Sequence, residues 1–167
     1  MRKVIGSATI PGPIRVRSAS SPARRPPRSR SRTETEIGAL SHAPPLFRPT
    51  GGGGHLDRRL LSREAAALLR AGGYTCVLWN ALPRDWDRPH EWVEVALGQI
   101  ATQPWSLMVL HDLPTGAMDH LDRFLTEARR RGCRFRQDFP PACVIITAGQ
   151  ATGALGGFVT TADSAAG

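Results

Sequence analysis

No acidic residue occurs before Glu34, only three cysteines are spread over the 167 positions, and no apolar run approaches the roughly 20 residues that a membrane span needs. Each absence excludes something. The 22 basic and 14 acidic residues give a net charge of +8, but nine of the basic residues lie in residues 1–33. That leaves 13 basic residues against all 14 acids in residues 34–167. The positive excess therefore belongs to an N-terminal arm, whereas a nucleic-acid-binding domain carries it on a folded face; nucleic acid is a disfavoured partner. Cys76, Cys133 and Cys143 form neither a CxxC pair nor an even set, which argues against a disulfide scaffold and a cysteine-rich zinc site. Pro11 and Pro13 interrupt the weakly apolar start, so no signal peptide is expected and the cytoplasm is the default compartment.

What is present divides into three parts. Residues 1–32 are mostly Arg, Ser and Pro after a short apolar start and have little to bury, so they read as a disordered basic arm. Residues 149–167, rich in Gly, Ala and Thr, read as a flexible tail. Between them, residues 33–148 alternate in pattern. Leu46–Phe47 is a short extended piece. Asp57 is a candidate N-cap for a helix with Leu61, Ala65, Leu68 and Leu69 on one face, stopped by Gly72 and Gly73. Tyr74 to Trp79 is a β-prone run. A second helix fits Glu91 to Ala101, with Val93, Ala96, Leu97 and Ile100 on one face. Trp105 to Leu110 is another apolar run. A third helix fits Ala117 to Arg131, with Leu121, Phe124, Leu125 and Ala128 as its stripe and Gly132 as its stop. Val144 to Thr147 is a last strand. Continuous apolar strands between helices predict an α/β fold with a parallel sheet covered on both faces.

In such folds chemistry gathers where the strands end. Arg48-Pro49 follows the first strand. Asn80 and then Pro83-Arg84-Asp85-Trp86 follow the second, and His111-Asp112 follows the third. An arginine, an aspartate with an adjacent tryptophan, and a histidine are thus expected on one rim. Alternatives attach to the other histidines. His55 follows four glycines, but no Lys or strand accompanies it as a phosphate loop requires, so it reads as part of a solvated loop. His90 and His120 fall on predicted helices and read as surface residues; Asp119 and His120 are adjacent on a helix and point in different directions. Trp79, Trp92 and Trp105 read as core, and Cys76 as an inert thiol inside a strand.

Three of these clusters carry a resemblance. Phe47-Arg48-Pro49 followed by glycines resembles the Arg-Pro-Pro-Tyr-Gly type third motif of the NodB homology polysaccharide deacetylases, carbohydrate esterase family four. Asp85-Trp86 resembles their fourth motif, Leu110-His111-Asp112 their fifth, and Gly132-Cys133-Arg134-Phe135 their closing segment. The likeness covers about residues 34–147, the C-terminal half of such a domain. It implies part of a deformed parallel (β/α) barrel and metal-dependent hydrolysis of N-acetyl groups on carbohydrate. By the same resemblance, His111 is the general acid, Asp85 its pairing carboxylate, and Arg48 the partner of the base carboxylate. Trp86 lines the sugar groove and Leu110 the acetyl pocket.

The family's first two motifs, a strand end with paired aspartates and a His-x-x-x-His pair, supply the base and the ligands of a divalent metal such as zinc. Upstream of Arg48 this chain has no Asp, one His (His42) and two Glu (Glu34 and Glu36), and Thr50 stands where the family has Pro. The likeness ends at about residue 33, as a truncated gene, a misassigned start codon or a shifted reading frame would leave it. The expectation is therefore a deacetylase-like chain that assembles no metal site of its own and is inactive. The alternative is a non-catalytic saccharide-binding or interaction fragment with a basic arm.

Overall fold

The computed structural model describes residues 4–6 and 44–161. Three parallel strands form one sheet in the order β4 (Trp105–Leu107), β1 (Val4–Gly6), β5 (Arg134–Arg136). A second, mixed sheet has the order β2 (Leu46–Phe47), β3 (Thr75–Val77), β6 (Val144–Thr147), β7 (Gln150–Ala151). One parallel bridge, Ala81 to Met108, joins the two just past the ends of β3 and β4. Among the described residues, three helices, α1 (Arg63–Ala71), α2 (Trp92–Thr102) and α3 (Leu121–Arg130), complete a mixed α/β architecture.

The helices form where spacing predicts, with instructive differences at their ends. α1 is capped by Ser62, whose side chain accepts from the Ala65 N–H, and not by Asp57. Asp57 is instead engaged by Arg59, which depresses its carboxyl below the ordinary carboxylate range. α1 buries Ala66 and Leu69, while Leu68 stays 65% exposed, so its apolar stripe is narrower than expected. α2 buries Val93, Ala96, Leu97 and Ile100 as its pattern requires, and Trp92 with them. The helix expected over Ala117 to Arg131 begins as a 3-10 turn, Ala117–His120, after Gly116 at φ 78°. It becomes α-helical only at Leu121, buries Phe124 and Ala128, and closes at Gly132 with φ 78°.

Two cores result. One lies between α2, α3 and the end of β4, around Trp92, Val93, Ile100, Met108 and Phe124. The other gathers Leu61, Leu69, Tyr74, Leu78, Ile145 and Ile146. Among the described residues, no helix is long and apolar enough to cross a membrane.

Three expectations are corrected. β6 runs antiparallel to β3 (Cys76 opposite Ile146), not parallel; the chain returns to it through a short turn, Pro141–Cys143, with no crossover helix. The segment after Gly149 does not fray through residue 161: β7 pairs with β6, and Phe158 and Val159 pack on the second core. Val4–Gly6, within the arm expected to be disordered, is a strand; the rest of that arm lies outside the described residues, as do Glu34, Glu36 and His42.

The β6–β7 hairpin turns through Ala148 (φ 46°) and Gly149 (φ 82°), the two positive values that a two-residue loop of this twist needs. The Ala148 N–H donates to Thr75 Oγ1 and the Gly149 N–H to the Tyr74 carbonyl, pinning the turn to the start of β3. A Cβ on Gly149 would meet the Arg70 carbonyl oxygen at 2.5 Å. Gly149→Ala is therefore expected to cost about 2 kcal/mol or more, strain and clash together, while Ala148→Asn gains about 0.5 kcal/mol by suiting the left-handed site. Urea midpoints of the two variants check both signs.

Candidate functional site

The site begins with backbone placement. β2 and β3 are parallel, and the bridge from Ala81 to Met108 is parallel too, so Arg48, the Asp85 turn and His111 all follow strands that point the same way. The β3 and β4 exits are stitched by Asn80. Its side-chain oxygen accepts from the Leu107 N–H at 2.7 Å, and its amide donates to the Trp105 carbonyl at 3.0 Å. Asn80 is thus a structural clamp.

After buried Pro83, Arg84 takes φ 61°, and its carbonyl accepts from the N–H groups of Asp87 and Arg88. This tight turn directs Asp85 inward, where it is 0% exposed. Both its oxygens are occupied by one residue: Oδ2 accepts from the His111 backbone N–H at 2.7 Å, and Oδ1 lies 3.0 Å from His111 Nδ1. The carboxylate therefore fixes both the backbone and the ring of His111. A carboxylate can only accept, so Nδ1 carries the proton and Nε2 is the nitrogen left for solvent or ligand. The His111 side chain is 36% exposed. The Trp86 ring stands edge-on to the imidazole, centroids 4.8 Å apart at 74°.

The structure thus brings Asp85, Trp86 and His111 into direct contact. Leu110 packs against the first core, half-buried. Arg48 is half-buried at the end of β2, and burial lowers its guanidinium pKa from the ordinary value. Among the described residues, no hydrogen bond or ion pair joins Arg48 to the dyad. Asp112 and His55 are exposed. No three His, Cys, Asp or Glu side chains are grouped to hold a metal among the described residues, and at the rim Asp85 and His111 are engaged with each other.

No family model, curated protein or solved structure matches the chain. The site is accordingly read from its own geometry.

Sequence reasoning missed two contacts here. Asn80 was visible only as a polar residue after a strand. The pairing of His90 with His120, at 3.5 Å, depends on the 3-10 turn that replaces the first turn of the expected helix.

A thiol nucleophile is excluded at Cys76 and Cys143. Burial disfavours the thiolate and pushes the Cys76 thiol up to about 12 and the Cys143 thiol up to about 11. Iodoacetamide at pH 8 is expected to leave both unlabelled in the native chain and to label both once it is unfolded, as mass spectrometry would show. The same shifts carry a sign for stability. Above the ordinary thiol value of 9.0 the unfolded chain ionises first, so stability falls as the pH rises toward 11 and 12.

Proposed function

We propose that the chain is a polysaccharide deacetylase-like protein that carries the saccharide-facing, proton-handling half of such a site. Its ligand on this reading is an N-acetylated carbohydrate. The observation that carries the proposal is the two-point grip of buried Asp85 on His111 beside Trp86, with the His111 side chain still 36% exposed.

The chemistry of the chain's own residues follows from that geometry. Trp86 offers an aromatic surface of the kind on which sugar C–H faces pack. Asp85 holds the His111 ring and its tautomer, so that the ring spends no orientational freedom when a ligand arrives. Nε2 then gives a proton to a basic leaving amine, or takes one from a hydroxyl, within hydrogen-bond reach. Arg48, half-buried and without a carboxylate partner among the described residues, is a cation awaiting an anion on the same rim. In the family this likeness points to, a divalent metal polarises the acetyl carbonyl and the attacking water. Among the described residues no three side chains are grouped to hold such a metal, and hydrolysis by this chain alone is not expected.

The test combines binding with turnover. Titration with N-acetylglucosamine oligomers is expected to shift the Trp86 indole and His111 ring resonances, and Trp86→Ala to weaken binding about 10-fold. Zinc is expected to elicit no acetate release. Oligomers that leave both resonances unmoved would sink the saccharide reading. Zinc-dependent acetate release that His111→Ala abolishes would show a complete hydrolytic site instead.

A further inference from the structure

Outside the rim, two histidines 30 residues apart meet at the mouth of the α2–α3 pair. His90 lies in the turn before α2, and His120 ends the 3-10 turn that leads into α3. His90 Nδ1 faces His120 Nε2 at 3.5 Å, with ring centroids 5.8 Å apart and planes at 71°. Two imidazole nitrogens on one tetrahedral zinc, each about 2.05 Å from the metal, stand about 3.3 Å apart. The observed separation is within a few tenths of an ångström of that, so one ion fits between them with little movement.

The backbone under the pair is held in place by other bonds. The Trp92 indole N–H donates to the Ala117 carbonyl at 2.8 Å, tying the first turn of α2 to the 3-10 turn that carries His120. The Trp92 ring packs on Phe124 of α3, centroids 5.3 Å apart, and Glu94 of α2 is paired with Arg123 of α3. The two histidines are therefore presented by elements fixed independently of them. Charge near the pair is mixed: Glu91 and Asp119 adjoin the two histidines in the chain, and Arg88 is drawn to Glu91 at 3.7 Å.

We propose that His90 and His120 form a surface chelate for a divalent transition metal such as zinc, bound through His90 Nδ1 and His120 Nε2. No third side-chain ligand joins them among the described residues, so water completes the shell. The bound ion clips the turn before α2 to the turn before α3. Both facing nitrogens must be bare to bind. The ring that donates in the metal-free chain therefore moves its proton to its other nitrogen, so that His90 carries its one proton on Nε2 and His120 its one proton on Nδ1.

The experiment is thermal unfolding of the full chain with zinc alone, alongside isothermal titration. The wild type is expected to gain about 5 °C at saturating zinc and to lose the gain on adding chelator. Neither His90→Gln nor His120→Gln gains anything, whereas His55→Gln and His111→Gln gain as the wild type does. His90 is exposed, so its variant folds and reports even where His120→Gln does not. A wild type that zinc leaves unmoved, or a gain that survives His90→Gln, would overturn the proposal. A gain abolished by His111→Gln and retained in His90→Gln would place the ion at the rim, and would also overturn it. Failure here leaves the saccharide reading untouched, because oligomer binding at Trp86 and His111 is read in the absence of metal.

Discussion

Asp85→Ala is expected to cost the fold about 3 kcal/mol. The carboxylate is 0% exposed and is the acceptor for both the backbone and the ring of His111. Removing one partner of a buried charged pair typically costs about 3–5 kcal/mol. The lower end applies here, because the His111 side chain is 36% exposed and water reaches part of what is left. Asp85→Asn separates the two bonds. Its amide oxygen keeps an acceptor for the His111 backbone N–H, but its NH2 then opposes Nδ1–H, and the ring must change tautomer or turn away. The expected loss is about 1–2 kcal/mol, close to one hydrogen bond. Chemical denaturation gives both numbers, and an Asp85→Ala variant within 0.5 kcal/mol of wild type would show that the grip is incidental.

The second large effect is expected at Trp92. It is 0% exposed, it packs on Phe124, and its indole N–H satisfies the Ala117 carbonyl. Trp92→Ala removes the largest side chain of the first core and is expected to cost about 4 kcal/mol, within the range for truncating buried aromatics. Trp92→Phe keeps most of the bulk but orphans the carbonyl, and is expected to cost about 1.5 kcal/mol. The difference between the two variants apportions the loss between packing and the hydrogen bond. Equal losses would mean that the tether to the 3-10 turn, and not the volume, dominates.

Much of this arrangement was legible before any coordinates. The periodicity of residues 91–101 marked the buried face of α2 because Val93, Ala96, Leu97 and Ile100 repeat at helical spacing. Asp85 and His111 could be placed on one rim because each follows an apolar run, and parallel strands bring such ends together; their pairing came from the resemblance. The direction of β6 was not legible. Its VIIT run is buried whichever way it points, and only the short Pro141–Cys143 return shows that no crossover intervenes. The hairpin at Ala148-Gly149 was missed because alanine stands where such turns usually carry Asn or Asp, so the signal resembled a fraying tail. Asp57 was expected to cap α1, but the helix begins only at Arg63, directly after Ser62. The ion pair with Arg59 occupies Asp57 instead. The His90–His120 contact was hidden because an α-helix over Ala117 to His120 presents His120 differently from the 3-10 turn that forms.

The described strands form a three-stranded parallel sheet and a four-stranded mixed sheet joined by one bridge. What the reading needs from the fold is smaller: parallel exits at β2, β3 and β4 that deliver Arg48, Asp85 and His111 to one rim.

The central claim is that buried Asp85 holds His111 so that Nε2 faces an N-acetylated sugar. Long-range proton–nitrogen correlation spectra of the histidine rings, recorded with the imidazoles neutral and then with N-acetylglucosamine oligomer added, test it most directly. The account predicts a His111 ring protonated at Nδ1, and an Nε2 resonance that moves on adding the sugar while those of His55 and His90 stay in place. A His111 ring protonated at Nε2, or one whose resonances the sugar leaves unmoved, would contradict it.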